Sequence, residues 1–315
     1  MKGIEEICCP CGKQSELRMS ENRFFCSQED CFHSSVSGSF PVCAGTPRLI
    51  SDHYCDTAFE RESDGSEVIV KRNRRYSWLN AVSKIHSSND NGDGFIKALS
   101  INQSISTDKL RPKVLVIGGG TKGFGEPRFS ELGIDSIRID VYDSELVDYI
   151  CDAHYVPFKT ESFDGVWIQA VLEHVVDPLR VVDEITRVLR PGGVVYAETP
   201  FMQQVHEGAY DFQRYTVTGH RFLFRRYAAI EIGAIGSVDV ALSWSIRYFS
   251  WALFRSRFLA RLIGTTAQFL LALSRPFLAK KSIYDGGSAV YFLGHKTEGI
   301  AVKHSEVINL YKGQF

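Results

Sequence analysis

The sequence lacks an excess of charge of either sign: 36 Lys and Arg face 37 Asp and Glu, for a formal net charge of −1. A protein that holds nucleic acid by its backbone favours a basic face, so no nucleic acid is expected as a partner. No secretory leader is expected, since Met1–Pro10 carries Glu5 and Glu6 where an apolar segment should stand. No apolar run is long enough to cross a bilayer. The richest stretch, Ser243–Leu278, is interrupted by Arg247, Arg255, Arg257, Arg261 and Arg275. Cysteine is nearly absent from the body of the chain: six of the eight lie at Cys8, Cys9, Cys11, Cys26, Cys31 and Cys43, with Cys55 just beyond and Cys151 alone later. Without a leader, clustered cysteines favour metal binding over disulfides. A cytoplasmic protein is expected.

What is present divides along the chain. At 315 residues there is room for one large domain and a small one. Residues 1–50 hold too few large apolar side chains for a core of their own, so bound metal would supply folding energy. Cys8 and Cys11 form a C-x2-C pair, and Cys26 and Cys31 a looser second one. Two close thiolate pairs suit tetrahedral zinc, so Cys8, Cys11, Cys26 and Cys31 are the candidate ligands. Cys9 competes with Cys8 for the first position, and the alternative is a set of reduced, buried structural cysteines.

Residues 51–110 read as a helical lead-in. Arg72, Arg74 and Arg75 make a basic run of the kind found on solvated helix faces, and Tyr76–Ile85 is a candidate short helix. Ser87–Gly94, SSNDNGDG, is a turn-rich breaker, and helix is expected again over Ala98–Leu110.

The pattern then alternates. Val114–Ile117 has no polar face, as expected for a strand buried on both sides, and it runs into Gly118, Gly119 and Gly120. Glycine lets the chain turn sharply and lets a ligand approach the backbone. Further strands are expected at Ser136–Ile139, Asp148–Cys151, Gly165–Gln169 and Val194–Glu198. A poorly defined helix is expected over Pro127–Leu132. A clear one is expected over Pro178–Leu189, with Leu179, Val182, Ile185, Val188 and Leu189 on one stripe, stopped by Pro191-Gly192-Gly193. Such alternation predicts an α/β fold with a doubly wound, largely parallel sheet. Beyond it, Phe222–Tyr227 reads as helix, Ala228–Gly236 as strand, residues 240–282 as an aromatic and arginine-rich helical insert, and Gly287–His295 as a last strand.

Five phrases in order resemble a class I S-adenosylmethionine-dependent methyltransferase of the type 11-like group. They are Val114–Gly120, Asp152–Phe158 (DAHYVPF), Ser162–Val166 (SFDGV), Val171–Pro178 (VLEHVVDP) and Glu184–Gly193 (EITRVLRPGG). The resemblance covers about residues 111–235. Ser39–Ile50 resembles the end of the zinc-ribbon-like segments that precede some bacterial methyltransferase domains. It implies a Rossmann-like domain over 111–298, a zinc-ribbon-like module over 1–50 and a tail over 299–315.

The implied cofactor is S-adenosylmethionine, with structural zinc in the module. Gly118, Gly119 and Gly120 would receive the amino-acid and ribose parts, Asp140 the ribose hydroxyls, and Asp152 with Ala153 the adenine. Gln169 and Leu172 would line the sulfonium. Two positions depart from the family: Val116 stands where an acid is usual, and Lys122 where a further glycine is usual.

Thr199–Tyr215 gathers His206, Glu207, Tyr210, Asp211, Arg214 and Tyr215 after the fifth strand, where ligands bind in such folds. His206 is the candidate general base, its ordinary pKa being about 6.5. His174, Tyr210, Asp211 and Arg214 are the candidate acceptor-binding residues, with a helix-side Asp211–Arg214 ion pair that only fixes the loop as the alternative. The expected activity is methyl transfer, to oxygen, on a small-molecule, glycan or lipid-linked acceptor. Ser243–Leu278 either caps the acceptor side or lies on the inner face of a membrane. The competing expectation is a cofactor-binding or scaffold protein of impaired chemistry, docking through its cysteine module.

Overall fold

The computed structural model describes residues 2–11, 13–50, 91–105 and 111–313. The basic run Arg72–Arg75, the short helix expected over Tyr76–Ile85 and Cys55 lie outside them.

A seven-stranded sheet organises the chain. Strands β5 (Lys113–Ile117), β6 (Asp135–Asp140), β7 (Tyr149–Ile150), β8 (Phe163–Gln169) and β9 (Leu189–Pro200) run parallel. Strands β10 (Tyr227–Ile235) and β11 (Ala289–Lys296) close one edge as an antiparallel hairpin, in the order β10-β11-β9-β8-β5-β6-β7. The chain builds outward from β5 to β7, then crosses back to β8 on the other side of β5. That reversal opens a crevice beyond the carboxyl ends of β5 and β8.

Alternation along β5 feeds two cores. Leu115 and Ile117 join one face with Val182, Ile185 and Val188, while Val114 and Val116 join the other with Phe95, Leu99 and Trp167. Period-two strand geometry requires this when both faces are covered.

The first face is covered by the helix Pro178–Val188 (α2). Asp177 caps its first turn by accepting from the Arg180 N–H at 3.1 Å, and Pro178 occupies the first turn, where no N–H is needed. Its apolar stripe is rotated from the expected one. Val181, Val182, Ile185 and Val188 are buried, whereas Leu179 is exposed.

The other face is covered by Asn91–Ile105 (α1), which begins inside the stretch expected to break structure. Burial of Phe95, Ala98 and Leu99 outweighs the poor helix propensity of Gly92 and Gly94. Gly92 is required by packing, since a Cβ there would stand 2.4 Å from the Gly125 carbonyl oxygen.

Two expected helices are corrected. Pro127–Leu132 is a single tight turn, Phe129–Leu132, ended by Gly133 in the left-handed region (φ 69°). The helix placed at Phe222–Tyr227 is instead α3 (Val217–Leu223), started by Thr216, whose hydroxyl accepts from the Gly219 N–H. Tyr227 already belongs to β10.

The first fifty residues form a four-stranded antiparallel sheet: β1 (Leu17–Ser20), β2 (Arg23–Cys26), β3 (Phe40–Cys43) and β4 (Thr46–Pro47). It is docked on the β7 edge. Leu49 N–H donates to the Ile150 carbonyl at 2.7 Å, Cys8 N–H to Pro157 at 2.9 Å and Lys159 N–H to Glu6 at 2.8 Å. Ile7, Phe24, Phe40 and Leu49 enter the larger core, so the module and the main sheet share one apolar interior.

Between β10 and β11 the insert is a helical hairpin, α4 (Val238–Phe254) and α5 (Arg257–Ala272). Arg255 turns it in the left-handed region (φ 51°), and Ser256 caps α5 through the Leu259 N–H. The helices cross closely at Gly264, where a Cβ would meet Arg247 Cβ at 2.6 Å. Short helices α6 (Ser282–Gly286) and α7 (His304–Val307) follow. Among the described residues, no helix is long and apolar enough to cross a membrane.

Candidate functional site

The crevice beyond β5 and β8 is a cavity of about 720 Å³. Gly118, Gly120, Asp140, Asp152, Ala153, Gln169, His174, Tyr210 and His206 all line it. The glycine loop shapes its floor. Gly118 is left-handed (φ 76°) and a Cβ there would strike Val171 Cγ2 at 2.2 Å. A Cβ on Gly120 would reach the Asp140 carboxylate at 2.7 Å, and one on Gly123 would reach Gln169 Oε1 at 1.9 Å. A side chain at any of these places would fill space that a ligand needs.

Strand ends present the polar groups. Asp140 closes β6, and its carboxylate accepts from Gly120 N–H (2.8 Å) and Tyr142 N–H (3.2 Å). The side chain is thus held at the cavity with acceptor capacity remaining for a diol. Asp152 accepts the His154 backbone N–H at 2.8 Å and pairs with His154 Nδ1 at 2.6 Å. His154 Nε2 accepts from the Asp177 N–H at 3.2 Å, so the proton on this ring belongs to Nδ1 and points at Asp152. His154 also lines the cavity.

Two expected residues lie elsewhere. Leu172 is packed into the core, and Val171 takes the place beside the cavity. Gly119 faces away, backed by Arg138, which donates to its carbonyl at 2.9 Å.

The acid missing at Val116 is supplied from outside the strand. Glu126 lines the cavity, accepts from Gly123 N–H at 3.0 Å and pairs with Arg138 Nη1 at 2.5 Å. Glu198, at the end of β9, also lines it and accepts from Gln169 Nε2 (3.0 Å) and the Tyr196 hydroxyl (2.7 Å). Asp143 and Glu207 add to this acidic wall, with Lys122 as a cation among them. A negative surround favours a sulfonium and an ammonium. Buried Trp167 Nε1 and Gln169 Oε1 have no hydrogen-bond partner and stand at the same wall. The donor set, the glycine floor and these orphaned polar atoms fit S-adenosylmethionine. Glu126 and His154 carry no glycine or strand-end signal in the sequence; Glu198 closes the expected strand Val194–Glu198, and that strand end was passed over as a site position.

The loop after β9 forms the outer wall. Asp211, its side chain fully buried, is the centre of that loop. Burial alone would raise its carboxyl, but the Arg214 guanidinium and the His206 N–H outweigh it and hold it at about 2. Arg214 also donates to the Gln203 carbonyl (3.0 Å) and the Gln204 carbonyl (3.2 Å). Asp211 and Arg214 therefore brace the loop, and neither lines the cavity.

Asp211 Oδ2 lies 3.2 Å from His206 Nδ1, and Arg214 Nη2 and the Gln204 carbonyl oxygen each lie 3.4 Å from the same nitrogen. His174 sits edge-on to His206 with ring centroids 4.9 Å apart, and its Nδ1 bonds the Tyr210 carbonyl at 2.8 Å. Burial holds the His174 imidazole below its ordinary range, hence neutral. Beneath both lies Glu173, fully buried; among the described residues neither carboxyl oxygen is hydrogen-bonded, and Oε1 lies 3.5 Å from His174 Nε2. Burial pushes its carboxyl up to about 8, so it carries its proton at neutral pH. The nearest donor atoms of Glu173, His174 and His206 all fall within 4.8 Å of one another.

In the N-terminal module the structure replaces Cys8. Cys9, Cys11, Cys26 and Cys31 bring their sulfur atoms together, within 4.8 Å of one another. Cys8 is engaged through its backbone with Glu16 and Pro157, and its thiol, outside the cluster of four, is near Arg187, Glu184 and Lys159 of the main domain as well as Cys11. Adjacent residues in an extended segment point to opposite sides, so one of Cys8 and Cys9 had to turn away. In a tetrahedral site with Zn–S near 2.3 Å, sulfur atoms stand roughly 3.8 Å apart. Cys9 and Cys31 are 3.9 Å apart. Four convergent sulfur donors fit zinc.

Residues 127–197 match the family model described as a methyltransferase domain. A demethylmenaquinone methyltransferase of Paenarthrobacter aurescens is 35% identical over 101 residues, covering 29% of this chain and 40% of that protein. The ubiquinone/menaquinone biosynthesis C-methyltransferase UbiE of Ralstonia nicotianae is 30% identical over 155 residues, covering 43% of this chain and 64% of that protein. Among solved structures, phosphoethanolamine N-methyltransferase 2 of Haemonchus contortus with S-adenosyl-L-methionine is 17% identical, covers 74% of this chain and 61% of that one, and has a TM-score of 0.41. The chain thus spans well under two thirds of the length of several curated relatives, 40%, 34% and 20% of three of them.

Proposed function

We propose that this chain, a class I S-adenosylmethionine-dependent methyltransferase, transfers the methyl group to an oxygen of a small-molecule, glycan or lipid-linked acceptor, with His206 as the base. The observation that carries the reading is the position of His206. It stands on the wall of the cofactor cavity, with Nδ1 held among Asp211, Arg214 and the Gln204 carbonyl. Asp140 would hold the ribose hydroxyls, Asp152 and Ala153 the adenine, Gly118 and Gly120 the backbone-facing part, and Gln169 with the acidic wall the charged end. When bound, the cofactor supplies an electrophilic methyl group on sulfur. The chain then needs to align an acceptor hydroxyl and remove its proton, which positioning and one histidine can do. His174 and Tyr210 complete the acceptor side, while Asp211 and Arg214 keep the loop in place.

Residues 1–50 act in this reading as a structural zinc module on the catalytic domain of 111–298, and 299–315 as a tail. The competing idea, a scaffold with lost chemistry, rests on Val116. Glu126 and Glu198 supply carboxylates in the same cavity and weaken it. The α4–α5 hairpin exposes Phe249, Trp251, Phe254, Phe258 and Phe269 between arginines, which supports peripheral contact with an anionic lipid surface.

Calorimetric titration with S-adenosylhomocysteine tests the core of the reading. Saturable binding at micromolar to submillimolar ligand is expected, and no heat would end the enzyme assignment. Zinc analysis should give one equivalent per chain, retained by Cys8→Ser and lost by Cys9→Ser; retention by Cys9→Ser would overturn the ligand set.

A further inference from the structure

A second cavity, about 700 Å³, opens on the far side of His206. Its floor is the loop of Gln203–Gly208 and its roof is the α4–α5 hairpin. Three aromatic residues, Trp244, Tyr248 and Trp251, and three arginines, Arg247, Arg257 and Arg261, define it. His206 lines this cavity and the cofactor cavity alike.

The charge of this cavity is unbalanced. No carboxylate lines it. Between Val240 and Tyr284 the chain has five arginines and two lysines and not one Asp or Glu. The acid at the start of the insert, Asp239, is already bonded to Arg275 at 2.9 Å. Arg247 and Arg257 make no ion pair among the described residues. Arg247 is exposed at the cavity, with the Arg261 guanidinium charge beside it. The helix crossing enforces the convergence, because Gly264 lets α5 press against the Arg247 stem. Guanidinium groups gathered beside aromatic faces with no carboxylate among them suit a polyanion that has a flat or apolar portion.

We propose that this second cavity is the acceptor site and that the acceptor carries a phosphate or diphosphate, held by Arg247, Arg257 and Arg261 with the attached group against Trp244, Tyr248 and Trp251. The acceptor hydroxyl then reaches His206, where the two cavities meet. The inference rests on the methyl-transfer reading for its reaction, and on the arginine cluster for its substrate class. The diphosphate can come from a nucleotide or from an isoprenoid lipid, and the two sources share this recognition chemistry.

The test is titration of the full-length protein, saturated with S-adenosylhomocysteine, by inorganic pyrophosphate, uridine diphosphate and farnesyl diphosphate, followed by tryptophan fluorescence. Saturable quenching by at least one of them is expected. Arg257→Gln, on the exposed start of α5, should weaken that binding about tenfold, as loss of a charge-assisted contact does, and Arg247→Gln should act in the same direction. Tighter binding of uridine diphosphate than of pyrophosphate assigns the aromatic wall to a base, and tighter binding of farnesyl diphosphate assigns it to a lipid. The proposal is overturned if none of the three binds at millimolar concentration, or if Arg257→Gln binds all of them as the parent does. Calorimetry with S-adenosylhomocysteine on the same variants separates the two readings. Intact cofactor binding with no anion binding removes only this proposal, whereas loss in the parent protein removes the methyltransferase reading itself.

Discussion

The two cavities that meet at His206 are built by different means and carry opposite charge. The cofactor side is lined by Glu126, Asp140, Asp152 and Glu198, most of them at strand ends or pinned by backbone N–H groups. The other side is lined by arginines and aromatics on a pair of helices. Strand ends in a sheet covered on both faces cannot shift without moving a core, so the cofactor wall is rigid and its acids are preorganised. A helical hairpin inserted between two strands can vary in composition without disturbing that core. The acid-lined side suits a cation and the arginine-lined side an anion, with His206 on the wall of both.

Removing the shared residue should have the largest effect. His206→Ala is expected to lower the methyl-transfer rate about 10²–10⁴-fold, the usual share of a general base, with S-adenosylhomocysteine affinity unchanged by calorimetry. An unchanged rate would sever the link between the cavities. Next is Asp140→Asn, which touches one side only. Affinity for S-adenosylhomocysteine should fall roughly tenfold, the cost of exchanging a charge-assisted hydrogen bond for a neutral one, while pyrophosphate binding stays as it was. Loss of both would show that the two walls are not independent.

A third effect, read in stability rather than in rate or affinity, lies beneath the junction, at Glu173. Its folded carboxyl titrates at about 8, above the ordinary 4.5 expected of the unfolded chain. The folded state therefore prefers the protonated form. Its stability relative to the unfolded chain is undiminished below pH 4.5 and declines as pH rises towards 8. The full decline is of the order of 5 kcal/mol by the shift alone. Glu173→Gln keeps the neutral shape and should flatten this slope, raising the melting temperature at pH 9 relative to the parent and changing little at pH 5. Parallel pH profiles for the two proteins would show that Glu173 is ionised in the folded state.

Local features read well wherever one physical cause acted alone. The all-apolar run Val114–Ile117, the glycines after it and the Asp177-Pro178 helix start are each specified by neighbours in the chain, and each is found in place. So is the grouping of Gly118, Gly120, Asp140, Asp152, Gln169 and His206 around one cavity. Readings failed where two local preferences competed. Asn91–Gly94 has the composition of a turn, yet burial of Phe95 and Leu99 draws it into α1. Cys8 and Cys9 are equivalent in spacing, and only the docking of Cys8 beside Pro157 decides that Cys9 faces the other thiols. Asp211 and Arg214 were grouped correctly with His206, but burial of the Asp211 side chain makes them braces rather than cavity wall.

By itself, then, the sequence determined the parallel sheet, its switch point and the residues at the cofactor end of its strands, because period-two burial and glycine geometry are local rules. Tertiary structure alone decided what those residues face. Glu126, Glu198 and His154 reach the cavity from three separate segments, and the arginines of α4 and α5 converge over His206 only because Gly264 lets two helices cross closely. Contacts between distant segments depend on packing distances that no spacing along the chain encodes.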